Sequence, residues 1–410
     1  MAGVSRGLVL GGVAIVAVLS AQALPRAQAP AKTAAPVTFT RDVAPILFKN
    51  CASCHRAGEM APMALTTFAD ARPWARAVKK AVVTRAMPPW GADPKFGEFA
   101  NDPRLSEQDM ATIVAWVDGG TIEGDARDLP ALPRFTDGWH IGTPDAVLSM
   151  AADADVPASG PRLLVDFKIP THFGEDKYVE LAEVTPGNRP VTHHAIISVQ
   201  DEGGSHRIAS YLPGGAVNNF PPGVAKLIPK DTTLNLNMHY NPKGKATTDR
   251  TTMAFVFAKG PIEKIAVTAM SGTRALDIPP GDANYEAIGT PFVFAEDSHI
   301  LSLLPRMNER GKDYKYTLVY PDGTSTVLLS VPKFSDSWQP SYILKTPMAA
   351  PKGSRIETLA HYDNSAANRQ NPDPTARVKY GPEIMNGYFD YTVDSQNLMK
   401  EKRTAAARDE

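Results

Sequence analysis

Two cysteines and a histidine form the most chemically specific pattern of the sequence, the run Cys51-Ala52-Ser53-Cys54-His55. In a C-x-x-C-H run the two thiols can add to the vinyl groups of haem, and the histidine can become the proximal iron ligand. A redox-active cysteine pair and half of a zinc site use the same cysteine spacing. The adjoining histidine and the lack of a second cysteine pair disfavour both. We therefore expect one covalent haem c on Cys51 and Cys54, with His55 bound to iron.

Helical spacing of apolar residues predicts three helices around this motif. The first ends at Cys51, and the second covers about 69–85. The third begins at Ser106, which can cap its own N-terminus, and stops at Gly119-Gly120. Three short helices around a haem are typical of small class I cytochromes c.

The segments 40–54 and 72–90 resemble that cytochrome family, and we predict such a domain over 37–128. Met87 opens a Met-Pro-Pro-Trp run, in which two prolines enforce an extended loop that can present a thioether to iron. Methionine ligation raises the haem potential and suits electron transfer. An open sixth position, the alternative, would suit peroxidase-like chemistry instead.

The first thirty residues have the features of an export signal. Arg6 precedes the apolar run 7–19, and A-x-A cleavage patterns stand at 21–23 and 27–29. We predict a signal peptide over 1–29, with an uncleaved N-terminal anchor as the alternative. Either interpretation places the rest of the chain outside the cytoplasm, in a periplasm or an equivalent compartment. No later segment is apolar for long enough to span a bilayer.

Composition limits the partners and indicates a second, β-rich part. The net charge is −1 without a basic block, which gives no electrostatic support for binding nucleic acid. After a proline-rich linker at about 124–145, short apolar runs alternate with turn residues, as in β-sandwiches. We predict all-β sandwiches at 145–265 and 266–395, and a charged tail at 396–410. The clearest strands are at 162–169, 178–184, 195–199, 234–240, 252–257, 314–319 and 326–331.

Three histidines on two predicted neighbouring strands form a candidate metal site. They are His193, His194 and His239. Imidazole nitrogens suit copper among other transition metals. Successive strand residues point to opposite faces, so His193 and His194 can share an ion only if the strand departs from regular pleating, which Pro190 just upstream makes feasible. A histidine pair alone is weak evidence, so a site without copper stays open at this point.

The chain from about 145 to 392 resembles the copper type II, ascorbate-dependent monooxygenases, the family of peptidylglycine and dopamine β monooxygenases. It is most similar to their bacterial branch with a fused cytochrome. The resemblance rests on several short motifs, namely His193-His194 before an apolar strand, Asn237-Met238-His239-Tyr240-Asn241, the frame over 304–323, the polar segment 360–374 and the tyrosine-rich segment 383–391.

This resemblance implies two jelly-roll domains that face each other across a solvent gap, with one copper each. The first site carries over onto His193, His194 and His239. The second site of the family consists of two histidines and a methionine. The matching positions of this sequence are Arg306, Asn308 and Ile384, and Met385 stands one residue after the position of the methionine. A guanidinium there opposes a metal cation, because two unit charges ~4 Å apart repel by roughly 4 kcal/mol at an effective dielectric near 20. We therefore expect one copper and a lost second site.

Two functions follow from these patterns. The preferred one is an oxidoreductase of the copper monooxygenase kind, in which haem passes electrons from a donor protein or a small reductant to the three-histidine copper, with O2 and a small organic substrate. The alternative is a non-hydroxylating electron-transfer or ligand-binding protein. We interpret His299 and His361 as structural histidines rather than as a rebuilt second metal site.

Overall fold

A computed structural model describes residues 35–395 except 58, 60, 136–137, 202–203, 213–214, 216, 218–219 and 382, together with Gly3 and Gly7. The predicted signal peptide, apart from these two glycines, and the predicted tail at 396–410 lie outside the described residues. No helix in the described part has the length and apolar character needed to cross a membrane. The described residues from Val37 onward belong to one unit.

The helices lie where the apolar spacing predicts them. They are α1 (Ala44–Asn50), α2 (Phe68–Ala71), α3 (Ala75–Val83) and α4 (Glu107–Asp118), with short π and 3₁₀ turns at Phe39–Val43, Arg72–Trp74 and Ala126–Asp128. Cys51 follows α1 directly. The helix predicted over 69–85 is interrupted near Pro73, which lacks the N–H that a regular helix needs. Ser106 caps α4, because its hydroxyl accepts from the backbone N–H of Asp109 at 3.0 Å.

The rest of the described chain is rich in β-structure, as predicted. The strands are β1 (Ala146–Ser149), β2 (Ala154–Val156), β3 (Leu163–Pro170), β4 (Lys177–Thr185), β5 (Thr192–Asp201), β6 (Gly204–Tyr211), β7 (Val224–Ile228), β8 (Thr233–Tyr240), β9 (Thr247–Asp249), β10 (Thr252–Phe257), β11 (Lys264–Thr273), β12 (Asp277–Ile278), β13 (Tyr285–Ile288), β14 (Phe292–Val293), β15 (Ser298–Arg306), β16 (Gly311–Val319), β17 (Ser325–Val331), β18 (Tyr342–Ala350), β19 (Arg355–Tyr362), β20 (Val378–Lys379) and β21 (Met385–Asp394).

Three larger sheets organise these strands. An eight-stranded sheet has the order β1-β10-β4-β7-β11-β21-β15-β18, a four-stranded sheet has the order β3-β8-β5-β6, and a third contains β13, β14, β19, β16 and β17. One apolar core lies among the strands up to Phe257, and another among those from Leu276 onward. These sheets agree with the predicted β-rich region after the helices. The jelly-roll topology of that region stays a prediction.

The eight-stranded sheet is continuous across the boundary that we predicted between residues 265 and 266. That position lies inside β11, whose full length pairs with β21. The first two residues of β11 also pair with β7 in parallel, Lys264 with Val224 and Ile265 with Ala225. Backbone hydrogen bonds therefore link the two halves of the β-rich region.

A segment within the predicted cytochrome range packs onto the β-rich region. The ring of Trp90 lies 4.7 Å from that of Tyr342, and Phe99 lies 5.5 Å from the same tyrosine. The backbone N–H of Asp93 donates to the carbonyl of Ser330 at 2.8 Å. Trp90, Ala92 and Phe99 consequently contribute to the second core.

Candidate functional site

The haem-binding motif occupies the turn that follows α1. Cys51 and Cys54 are free thiols, and burial raises the pKa of Cys51 to about 12, with a further contribution from Cys54. The Nδ1 atom of His55 lies 3.2 Å from the carbonyl oxygen of Met63. If Nδ1 carries the proton and donates it there, Nε2 keeps a lone pair that can bind iron. These residues fit a haem c that the two cysteines could hold.

Met87 follows α3 in an exposed loop. The residue is 42% exposed, and its backbone N–H donates to the carbonyl of Ala81 at 3.2 Å. Its assignment as the sixth iron ligand stays a prediction.

The structure brings His193, His194 and His239 together. One ring nitrogen from each lies within 4.8 Å of the others. Strands β5 and β8 are neighbours, and their pairing passes from Thr192 with Tyr240 to His194 with His239, which leaves His193 as the extra residue of a β-bulge. This bulge is the departure from regular pleating that the sequence required for two successive histidines to share a site.

The ring nitrogens have the separations and the protonation state that a metal needs. The Nδ1 atoms of His193 and His194 are 2.9 Å apart, which suits two nitrogens that each lie about 2.0–2.1 Å from one ion. Burial lowers the pKa of all three histidines, and it lowers that of His239 to about 4. The imidazoles are therefore neutral near pH 7 and can offer lone pairs.

Unsatisfied buried nitrogens support the same conclusion. Among the described residues, Nε2 of His193 and both ring nitrogens of His239 have no hydrogen-bond partner. Buried polar atoms are rarely left without a partner, and each such atom calls for a ligand or an unseen contact. A metal ion that accepts these lone pairs is one such ligand, so the cluster fits a transition metal.

A pair of arginines and a pair of carboxylates surround the cluster. The Nη2 atom of Arg306 lies 3.4 Å from Nε2 of His194. Arg162 contacts Asp336 at 2.6 Å and Glu309 at 3.1 Å. Asp336 also approaches Nε2 of His193 to 3.8 Å. Neither Asp336 nor Arg162 belongs to a recognisable motif, so the sequence gives no signal for either residue.

The four residues assigned to the lost second site lie at the adjoining ends of β15 and β21. Arg306 pairs with Asn386 across these strands, and Met385 is fully buried in the second core. The carboxylate of Glu383 accepts from the backbone N–H groups of Asn308 and Ile384. The guanidinium of Arg306 instead reaches the three-histidine cluster, so at this contact the two halves touch rather than face each other across a gap.

An ion pair connects the haem-binding segment with the strand of the histidine pair. Glu59, four residues after His55, lies 2.9 Å from Arg189, which stands four residues before His193. Glu59 also pairs with Arg56 at 2.7 Å. Since Glu59 and Arg189 are distant in sequence and carry no motif, the sequence held no signal of this contact.

The remaining histidines of interest have local roles. His361 lies 2.8 Å from Asp313 through its Nδ1 atom, and His299 is exposed on β15. His140 contacts Glu183 at 2.7 Å. In the described part of the chain, the three-histidine cluster is the group of metal-ligating side chains whose donor atoms converge.

Comparison with known proteins identifies one region of the chain. Residues 44–120 match the family model for cytochrome c, so this region is a cytochrome c domain, and it implies a haem c redox protein. No curated protein matches the chain.

Two solved structures that are similar to the chain are the major capsid protein P2 from bacteriophage PM2 and PNGF-II. The first is 8% identical, covers 61% of this chain and 97% of its own, and has a TM-score of 0.26. The second is 11% identical, covers 71% of this chain and 70% of its own, and has a TM-score of 0.23. These low scores carry no argument about the fold or function of this chain.

Proposed function

We propose that this protein is an exported haem c oxidoreductase in which the haem exchanges electrons with a copper ion held by His193, His194 and His239. The observation that carries the proposal is the Glu59–Arg189 ion pair, which holds the haem-binding segment beside the strand of the histidine pair. Haem c with a histidine–methionine pair is suited to electron transfer. A copper ion on three neutral imidazoles can store one electron.

The protein residues set up this exchange in three ways. The bulge at His193 directs two successive imidazoles to one site, and β8 supplies the third from directly opposite His194. Burial keeps the imidazoles neutral. The carbonyl of Met63 can accept a hydrogen bond from Nδ1 of His55, which would leave Nε2 for iron.

The proposed reaction is oxidation of a small organic substrate with O2, as the resemblance to the copper monooxygenases implies. Hydroxylation of a C–H bond by one O2 takes up two electrons and two protons and releases one water, and the cytochrome c domain would supply these electrons from an external donor. Met385 lies fully buried in the apolar core, and Ile384 has no ligating side-chain atom, which supports one copper rather than two.

The absence of a converging second ligand set in the described residues also favours a second candidate. In that case the haem and the single copper only carry electrons, and no substrate is hydroxylated. Coupled uptake of O2 with candidate substrates would support the enzyme, whereas slow reoxidation that substrate does not change would support the relay.

Internal electron transfer is the direct test of the shared part of both candidates. The haem of the copper-loaded protein is reduced by a short laser-triggered pulse of electrons without O2, and its reoxidation is followed by its absorbance. We expect reoxidation in the unaltered protein, its loss in His239→Ala, and no effect of His299→Ala, which removes an exposed histidine. Reoxidation that survives in His239→Ala would contradict the proposal.

The docking role of the ion pair has its own matched control. Glu59→Gln removes one charge of the pair with Arg189, whereas Glu98→Gln removes a charge from the exposed pair with Lys345, which joins the same two regions elsewhere. We expect slower reoxidation only in Glu59→Gln. Equal rates in the two variants would show that the Glu59 contact does not set the electron path.

A further inference from the structure

Arg306 is a buried cation without a carboxylate partner among the described residues. It is 5% exposed, and a guanidinium keeps its charge at neutral pH. Its Nε and Nη1 atoms have no hydrogen-bond partner in the described part of the chain, and Nη2 contacts His194. A buried guanidinium normally has all its donors satisfied and its charge balanced.

The nearest carboxylates do not accept from these free donors. Asp336 and Glu309 are both engaged by Arg162, at 2.6 Å and 3.1 Å. These two carboxylates balance the charges of the two arginines, but they leave Nε and Nη1 of Arg306 without an acceptor. A divalent metal at the histidines would add positive charge beside Arg306 that these carboxylates do not balance.

The position of the ring proton on His194 decides whether this residue can contact Arg306 and bind a metal at the same time. The contact with Arg306 requires a lone pair on Nε2, and then the ring proton sits on Nδ1, from which it can be donated to Nδ1 of His193 at 2.9 Å. A neutral His194 that binds a metal through Nδ1 carries its proton on Nε2, where it faces the donor of Arg306. Metal binding therefore releases Arg306 from His194, and the guanidinium then needs an acceptor.

We propose that this acceptor is a small carboxylate or similar oxyanion, which binds to Arg306 beside the three-histidine cluster, and that the metal and the anion bind cooperatively. The inference rests on the proposed function, because it takes His193, His194 and His239 as metal ligands. It assigns Arg306 a role in ligand recognition at this site, and it identifies the chemical class of that ligand as a small anion with hydrogen-bond-accepting oxygens.

The experiment measures the copper affinity of the full-length haem protein, with formate as the probe. Cu(II) is titrated against a competing chelator at constant ionic strength, in sodium perchlorate or in sodium formate, and bound copper is quantified by electron paramagnetic resonance. In the unaltered protein, formate should tighten copper binding by at least about tenfold, a fraction of the repulsion expected between neighbouring unit charges.

Two variants separate Arg306 from direct binding of formate to copper. Arg306→Met removes the charge and should bind copper at least about tenfold more tightly than the unaltered protein in perchlorate, without further gain from formate. Arg274→Met, which removes an exposed cation, should behave like the unaltered protein. Haem absorbance and circular dichroism verify that each variant is folded, and the titration of the unaltered protein decides the question even if Arg306→Met does not fold.

The outcomes distinguish this inference from the function on which it rests. Copper that binds equally well in both salts overturns the anion site and leaves the metal site standing. The same formate effect in Arg306→Met also overturns it, because formate would then act on copper without the guanidinium. Failure of all proteins to bind copper in either salt overturns the metal site and the inference together.

Discussion

Replacement of Asp390 by asparagine would remove the negative charge from a buried cluster that joins the two halves of the β-rich region. Asp390 is fully buried on β21 and lies 2.9 Å from both Arg207 on β6 and Lys226 on β7. It also accepts hydrogen bonds from Thr268 and Ser302. One carboxylate therefore compensates two buried cations, and these cations lower its own pKa.

Loss of that charge leaves both cations uncompensated, and removal of one partner from a buried ion pair costs about 3–5 kcal/mol. The matched control is Asp394→Asn, four residues later on the same strand, where Asp394 pairs with Lys264 at 3.2 Å and both side chains are 39% exposed. Exposed pairs contribute roughly 0–1 kcal/mol. The predicted difference between the two variants is therefore a few kcal/mol.

Urea unfolding followed by far-ultraviolet circular dichroism measures this difference as a shift of the midpoint. Asp390→Asn should unfold at clearly lower urea than Asp394→Asn, and the double variant Asp390→Asn with Lys226→Met should recover part of the loss, because it removes one of the uncompensated cations. Equal midpoints for the two single variants would refute the reasoning.

Two further predictions concern stability. Burial raises the pKa of Glu383 to about 7, above its ordinary 4.5, so the folded state holds this proton longer than the unfolded state, and stability should fall as the pH rises from about 4.5 to about 7. Between pH 5 and 7.5 the free energy of unfolding of the unaltered protein should fall by about 2–3 kcal/mol more than that of Glu383→Gln, as measured by urea titrations. The same pH dependence in both proteins would contradict this. Ser106→Ala should cost about 0.5–2 kcal/mol through loss of the α4 cap, with Ser106→Thr as the tolerated control, and thermal unfolding that does not distinguish the two would contradict it.

The parts of the fold that depend on nearby residues could be predicted from the sequence. The end of α1 next to Cys51, the cap at Ser106 and the seven strands named from the sequence follow from local spacing and turn residues. Two successive histidines, His193 and His194, can share a site only if the strand departs from regular pleating, and the bulge in β5 provides this departure. Local patterns suffice here because the determining residues are a few positions apart.

Contacts between distant residues could not be predicted in the same way. Arg306 and His194 are separated by 112 positions, and Glu59 and Arg189 by 130. A single sequence gives no register between such segments, since many strand pairings satisfy the same alternation of apolar residues. The resemblance therefore places Arg306 at the second metal position, whereas in the structure its guanidinium contacts His194.

Charged residues within apolar strands give a weaker signal for distant contacts. Lys226 interrupts the apolar run 224–228, and Asp390 lies among aromatic residues of β21. A charge at a position that alternation or an apolar run assigns to the interior indicates a buried partner of opposite sign. The sequence does not say which charge that partner is.

The ratio of copper to haem tests the central claim most directly. Elemental analysis of the copper-loaded protein, with electron paramagnetic resonance of its oxidised form, should give one copper per haem and a signal from nitrogen ligands, and both should be lost in the variant that replaces His193, His194 and His239 by alanine. Two coppers per haem, or copper that persists in that variant, would contradict the account.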